Sequence, residues 1–290
     1  WGIYAGMTGT LIILLVFGGM GLFDSICHAF TTTSTGGFST KQTSIEYYHS
    51  PYIDYVISVF MFLSGVNFTL LLLMFNGKIK KFIHDAELKF YFIAVWLYQT
   101  SSMGAEEAFR KSLFQVISLQ TSTGFATADY MLWPSILWGC LLIVMIMGAC
   151  AGSTTGGIKC IRMVILFKVA KNEFKHILHP NAVLPVRVNK QVISPSIQST
   201  VLAFTFLYAI IAIISILVMM GFGVGFLESI GTVISSIGNM GPGLGTCGPA
   251  FSWSELPDAA KWLLSFLMLL GRLELFTVLL LFSSDFWKRN

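Results

Sequence analysis

Long apolar runs alternate along this chain with short, glycine-bearing polar segments. Gly2 to Leu22, Tyr52 to Phe75, Trp133 to Cys150, Ser199 to Phe222 and Ala259 to Phe282 read apolar on every face, at or near the ~20 residues a helix needs to cross a bilayer. A helix of that length on a soluble protein keeps a polar stripe. Shorter stretches, Phe23 to Thr32, Ala108 to Gln120 and Leu227 to Ile237, each run directly into a hydroxyl- or glycine-rich segment. Span, short re-entrant helix, glycine segment, span is therefore the repeating order. It divides the chain at 1–81, 82–190 and 191–290, an all-α integral membrane protein of tandem span–pore helix–span repeats. The stretch Leu88 to about Tyr98 that should open the second unit reaches only about 17 Å as a helix, against a ~30 Å hydrocarbon core.

The recurring segments are Thr33-Ser34-Thr35-Gly36, Thr121-Ser122-Thr123-Gly124 and Gly238-Asn239-Met240-Gly241. Extended backbone of this kind turns carbonyl oxygens inward and replaces the hydration shell of an alkali cation, and glycine accepts the backbone angles such a segment requires. The carbonyls expected to serve are those of Thr33 to Gly36, Thr121 to Gly124, and Asn239, Met240 and Gly241. In the third segment either Gly238 or Gly241 fits; Gly241 is preferred because its distance from Glu228 better matches that of Gly36 from Asp24. The competing reading is small-residue contact between packed helices. Pore helices would also aim the negative ends of their dipoles at the ion. Potassium is the cation this arrangement points to.

Composition and charge add an orientation. Hydrophobic residues make up 55% of the chain and charged residues 11%, with a mean hydropathy of +0.75. Most of the 18 Lys and Arg fall on one side of the predicted spans, including Lys78, Lys80, Lys81, Lys159, Arg162 and the basic loop Lys171 to Lys190. That side is cytoplasmic by the positive-inside rule, so the glycine segments open outward and the C-terminus lies inside. The net charge of +4 thus reports topology and contact with the lipid bilayer, and no nucleic-acid partner is expected. The five cysteines form no C-x-x-C pair and read as packing residues. Gly2 to Leu22 lacks a basic leader and a cleavage site, so the chain is expected to open in a span.

Two further features lie inside spans. Gly148 to Gly157 interrupts one with Gly148, Gly152, Gly156 and Gly157 and the hydroxyls Ser153, Thr154 and Thr155; such a break is tolerated where it lines a cavity, though a packing kink would look similar. Arg272 carries charge into the last span, a functional position by default, with a structural pairing to a carboxylate or to backbone carbonyls as the alternative. Gly243-Leu244-Gly245-Thr246-Cys247-Gly248 satisfies G-x-G-x-x-G without the flanking strand and helix a dinucleotide site needs. The histidines show no metal-ligand spacing, and no nucleophile–base set supports an enzyme.

Several segments together, in order over nearly the whole chain, resemble the Trk/Ktr/HKT potassium transporters, and within them the bacterial Trk membrane subunits. They are Thr31 to Thr40 (TTTSTGGFST), Gly148 to Lys159 (GACAGSTTGGIK), His179 to Val183 (HPNAV), Asn239 to Gly245 (NMGPGLG) and Gly271 to Phe276 (GRLELF). The resemblance implies a pseudo-fourfold set of repeats around one pore, K+ (and Rb+) uptake across the bacterial inner membrane, a homodimer and a cytoplasmic nucleotide-binding regulatory subunit, with no cofactor in this chain. It also implies that Gly148 to Gly157 is an intramembrane gating loop and that Arg272 faces the pore as a barrier. About one repeat is expected ahead of Trp1, where a serine in the filter would signal Na+; a fragment is therefore expected. A K+ symporter coupled to H+ or Na+, and a non-conducting fragment or regulatory membrane subunit, stay open.

Overall fold

The computed structural model describes residues 2–75, 85, 105–182, 184–189, 191–273, 275–282 and 284–288. Among the described residues the regular elements are helices, apart from a small antiparallel hairpin, β1 (Arg187–Val188) and β2 (Gln191–Val192), and an isolated parallel bridge between Met147 and Ile158. The helices are α1 (Gly2–Phe17), α2 (Leu22–Thr33), α3 (Pro51–Gly65), α4 (Phe68–Phe75), α5 (Ala105–Gln120), α6 (Ser135–Ile146), α7 (Cys160–Leu178), α8 (Pro195–Gly221), α9 (Phe226–Gly238), α10 (Asp258–Arg272), α11 (Leu275–Leu281) and α12 (Ser284–Trp287). The expected short stretch from Leu88 to about Tyr98 lies outside the described residues.

The three short helices fall where the pattern puts them, as α2, α5 and α9. Apart from Ser199 to Phe222, which lies in the unbroken α8, the long spans do not survive as single rods. Gly2 to Leu22 breaks at Gly18 and Gly19, where Gly19 adopts a left-handed φ of 87°, and Tyr52 to Phe75 breaks at Val66 and Asn67. Asn67 re-caps the chain there, its Oδ1 accepting the Thr69 N–H at 2.8 Å. Ala259 to Phe282 divides into α10 and α11, inclined by 114°. Among the described helices, only α8 is by itself long and apolar enough to cross a membrane; the bent pair α10 and α11 adds a second if taken as one span. The basic stretch from Lys171 to Lys190 is not a loop at its start: α7 continues to Leu178, and the hairpin follows. Ser-Pro pairs open both α3 and α8, with Ser50 Oγ accepting from Ile53 N (3.5 Å) and Ser194 Oγ from Ile197 N (3.4 Å), a hydroxyl cap followed by a ring pre-set for the first turn.

Each of these three helices is wedged between two others. α2 packs on α1 and α3, α9 on α8 and α10, and α5 on α3 and α6. α5 joins two cores, one with Leu11, Leu15, Ile57, Met61 and Phe114 and one with Leu119, Leu141, Met145, Ile234 and Leu244. By contrast α8 leaves Leu202, Phe206, Ile213 and Leu217 exposed, an apolar flank that suits hydrocarbon and not water.

Polar packing also ties α3 to α5. Arg110 pairs with Asp54 and donates to Glu106 Oε1 at 3.1 Å, with the Arg110 and Asp54 side chains 11% and 8% exposed. Replacing Arg110 by Met strands a buried carboxylate, a loss of about 3 kcal/mol. The expected result is a melting temperature several degrees lower for the detergent-solubilised full-length protein, partly recovered by adding Asp54→Asn. An unchanged melting temperature in the single variant would refute a structural role for the pair.

Candidate functional site

The C-terminal ends of α2, α5 and α9 deliver three segments bonded to their own helices in one pattern. Thr35 N donates to Thr32 O (3.2 Å), and Gly36 N and Gly37 N both donate to Thr31 O (2.8 and 3.3 Å). Ser122 N donates to Leu119 O (3.1 Å), and Thr123 N and Gly124 N both donate to Ser118 O (2.9 and 3.3 Å). Asn239 N donates to Ser236 O (3.1 Å) and Met240 N to Ser235 O (3.0 Å), while Gly241 N turns to Ser235 Oγ (3.1 Å). Equivalent positions are therefore Thr35, Ser122 and Asn239; then Gly36, Thr123 and Met240; then Gly37, Gly124 and Gly241. The backbone angles agree, with φ of 54°, 50° and 55° in the first set and 67°, 82° and 106° in the last.

This register corrects the sequence alignment by one residue in the first segment. Gly37, not Gly36, matches Gly124 and Gly241, and Gly238 is the last residue of α9. The signal was present: Gly37 lies thirteen residues after Asp24, as Gly241 lies thirteen after Glu228. The glycines answer to space as well as angle. A Cβ on Gly37 would overlap the Thr123 carbonyl oxygen, and one on Gly124 the Met240 carbonyl oxygen, while none of the described atoms lies within 4 Å of one on Gly241. The three segments thus follow one another with a constant hand, Gly37 and Gly124 each facing the next segment's carbonyl.

With their N–H groups turned back to the helices, these segments present carbonyls on the other side. Among the described residues, no hydrogen bond reaches the carbonyl of Thr35, Gly36, Gly37, Ser122, Thr123, Gly124, Asn239, Met240 or Gly241. Such unpaired oxygens are costly unless something else coordinates them. Thr33 and Thr121 instead bond sideways, Thr33 Oγ1 to Thr8 Oγ1 (3.1 Å) and Thr121 Oγ1 to Thr123 Oγ1 (2.8 Å). Ser34 through Phe38, Gly124 and Asn239 through Pro242 border a cavity of about 750 Å³ that Arg272 also reaches.

Hydroxyls brace the segments from behind. Thr31 Oγ1 donates to Phe38 O (2.9 Å) and Ser118 Oγ to Phe125 O (2.7 Å). On the outer side Asp24 accepts from Thr40 Oγ1 (2.7 Å) and Tyr48 OH (3.0 Å) and pairs with Lys41 (3.2 Å). Burial and that bond to Asp24 push the Tyr48 phenol up to about 12, so it stays a donor at neutral pH. His28 sits behind the first segment, Nδ1 2.7 Å from Asp24 O and Nε2 2.9 Å from Ser39 Oγ. The GxGxxG stretch from Gly243 forms a 3-10 turn, Gly245–Cys247.

Beneath the carbonyls lies the loop from Gly148 to Gly157. Its ends are clipped together: Gly148 N donates to Ile158 O (2.9 Å), and Ile158 N to Ile146 O (3.2 Å). A Cβ on Gly148 would overlap Gly156 O, and one on Gly156 would overlap Gly238 O, so these glycines let the loop press on itself and on the end of α9. Gly152 and Gly157 take left-handed φ values of 74° and 69°. Ser153 Oγ donates to Cys150 O (2.5 Å) and meets Thr155 Oγ1 (2.9 Å). Thr154 Oγ1 donates to Thr33 O (3.5 Å), and Gly156 N donates to Ser122 Oγ (2.7 Å).

Two cations hold the loop's consecutive carbonyls. Arg272 Nη1 donates to Thr154 O (2.7 Å), and Lys159 Nζ donates to Thr155 O and reaches Thr155 Oγ1 (3.1 Å). Arg272 is the last residue of α10, at the break in the expected span, where a helix C-terminus favours positive charge. Gly271 sets its place, since a Cβ there would overlap Ile237 O and crowd Asn239 Nδ2. A second cavity, about 290 Å³, opens below the loop beside Lys159, Arg162, Tyr208 and Arg272. Lys159 escaped sequence reasoning because it looked like one of many cytoplasmic positive charges.

The described residues form a mostly helical fold, that of a membrane transporter. The crystal structure of the potassium transporter TrkH from Vibrio parahaemolyticus matches this chain with a TM-score of 0.92 at 33% identity, covering 99% of this chain and 64% of that one. The TrkH family of cation transport proteins matches residues 13–97 and 90–289, and this chain belongs to that family. The Trk system potassium uptake protein TrkH of Escherichia coli K12 is 36% identical over 303 residues, 99% of this chain and 62% of that protein. The uptake protein TrkG of the same strain is 39% identical over 298 residues, 99% of this chain and 61% of its own length. The chain thus spans about three fifths of the length of the curated relatives it matches. The family is one of transporters and not enzymes.

Proposed function

We propose that this chain builds most of the wall of a path for K+ uptake through a bacterial inner membrane. The observation that carries the reading is the set of unpaired carbonyls on three segments in one hydrogen-bond register, each followed by a left-handed glycine. Stacked carbonyl oxygens of this kind take the place of a cation's water shell, and the C-terminal ends of α2, α5 and α9 add negative potential at the same place. The relatives' names, potassium uptake proteins, support K+ as the ion, with Rb+ as its surrogate. The repeats are 1–81, 82–190 and 191–290 around one pseudo-fourfold axis. The constant hand of the glycine-to-carbonyl contacts, and the open side at Gly241, suit a fourth segment. The Gly148–Gly157 loop is the gate and Arg272 the barrier beside it. The carbonyl segments face outward and the C-terminus inward; a homodimer with a cytoplasmic nucleotide-binding regulatory subunit completes the assembly.

The test is K+ and Rb+ uptake, with Na+ competition, by the full-length protein in a potassium-uptake-deficient strain, alongside Gly124→Ser. Uptake preferring K+ and Rb+ over Na+, with that preference lost in the variant, is expected. No uptake by a correctly inserted protein would overturn the reading. The interrupted helices at Val66–Asn67 and Arg272–Leu273 favour, as a second reading, a carrier that alternates access at broken helices; a reversal potential that shifts with the H+ or Na+ gradient would select it.

A further inference from the structure

Thr35, Ser122 and Asn239 stand at the same register position at the foot of the three segments, all in left-handed backbone with φ of 54°, 50° and 55°. Glycine takes that conformation freely and asparagine tolerates it at a helix end, but it is unfavourable for serine and most of all for β-branched threonine. Strain kept at three equivalent positions calls for something the side chains do. Their chemistry differs, a threonine, a serine and an asparagine, yet each reaches an element below the carbonyls. Ser122 Oγ accepts the Gly156 N–H at 2.7 Å. Thr35 Oγ1, which also bonds Ser34 O at 2.7 Å, reaches Thr154 Oγ1 at 3.2 Å. Asn239 Nδ2 donates to Met268 O at 3.1 Å, one turn before Arg272 on α10.

We infer that these three residues are latches tying the foot of the carbonyl wall to the Gly148–Gly157 loop and to α10, so that the loop leaves only by disturbing the wall. The inference rests on the K+ path proposed above and adds a mechanical coupling to it. Ser122 is the decisive latch. It is 1% exposed, so when the loop departs both its hydroxyl and the Gly156 N–H need new partners. Because coupling is reciprocal, an ion that stiffens the wall also biases the loop, and loop opening loosens the wall. The side chains of Ser122 and Asn239 thus have a positioning role, acting on the ion through the loop and α10, apart from the carbonyls their backbone presents.

The experiment compares Ser122→Ala, Ser122→Gly and Arg272→Ala, singly and combined, in the full-length protein. Alanine removes the acceptor and keeps the strain; glycine removes both. Loss of one hydrogen bond from the closed state predicts uptake raised about fivefold in both Ser122 variants. Because Arg272 grips the same loop, the combined variant should rise by less than the product of the single effects. A rise in the glycine variant alone would assign the effect to strain and overturn the latch, as would no rise in either while Arg272→Ala still raises uptake. If the wild-type protein takes up no K+, the K+ path fails, and the latch is judged separately by thiol labelling of Thr155→Cys in purified protein lacking its native cysteines. Faster labelling with Ser122→Ala supports the latch, and an unchanged rate overturns it.

Discussion

Arg272→Ala in the full-length protein raises K+ uptake at least tenfold at unchanged expression. The guanidinium borders both cavities, above and below the loop, so a cation moving between them passes it closely. At ~5 Å and an effective dielectric of ~20 the repulsion is about 3 kcal/mol, on the order of a hundredfold in rate. Losing the bond to Thr154 O adds about 1 kcal/mol in favour of an open loop. Other steps become limiting before the full gain is realised, which is why tenfold is the floor. Arg272→Lys keeps the charge but gives up the guanidinium's fixed fork, so it should fall between wild type and alanine. Equal uptake by the wild-type and alanine proteins, with equal membrane levels, would end the barrier assignment.

Gly37→Ala abolishes Rb+ uptake, whereas Gly36→Ala retains most of it. An alanine at Gly37 bears a strained left-handed φ, roughly 1–2 kcal/mol, and its Cβ overlaps the Thr123 carbonyl oxygen, which is backbone and cannot rotate away. The overlap forces the first and second segments apart where the carbonyls converge. At Gly36 the φ is ordinary, and the nearest atom to a new Cβ is the Ser34 hydroxyl at 3.2 Å, which turns aside. Initial rates with both proteins quantified in the membrane decide the matter. The reverse ranking would restore the alignment of Gly36 with Gly124 and refute the hydrogen-bond register.

The positions of the short helices were legible because their cues are local. Apolar stretches such as Leu227 to Ile237 end at a glycine or hydroxyl run, and α9 occupies Phe226–Gly238. The breaks at Gly18 and Val66 were not legible, since those residues do not lower the hydropathy of their surroundings and a window average passes over them. What breaks the helices is partner contact. Cys150 N donates to Gly65 O at 3.0 Å and Phe68 N to Gly152 O at 3.5 Å, so the interruption of the second span and the loop satisfy each other's backbone.

By itself the sequence determined that this chain is helical and suited to lipid, because backbone polar groups in hydrocarbon must be satisfied within the segment and long apolar runs leave the helix as the solution. It also determined where α2, α5 and α9 run into glycine-bearing segments, and that Gly148 to Gly157 and Arg272 are out of place in an ordinary span. Only the tertiary structure decided which glycine matters and what the polar groups hold. Gly37 is required because Thr123 O approaches it, Arg272 meets Thr154 across 118 residues of chain, and Ser122 meets Gly156 across 34. Such pairings arise from the way α2, α5, α9 and α10 converge, and no local pattern of side chains encodes the distance between segments so far apart in the chain.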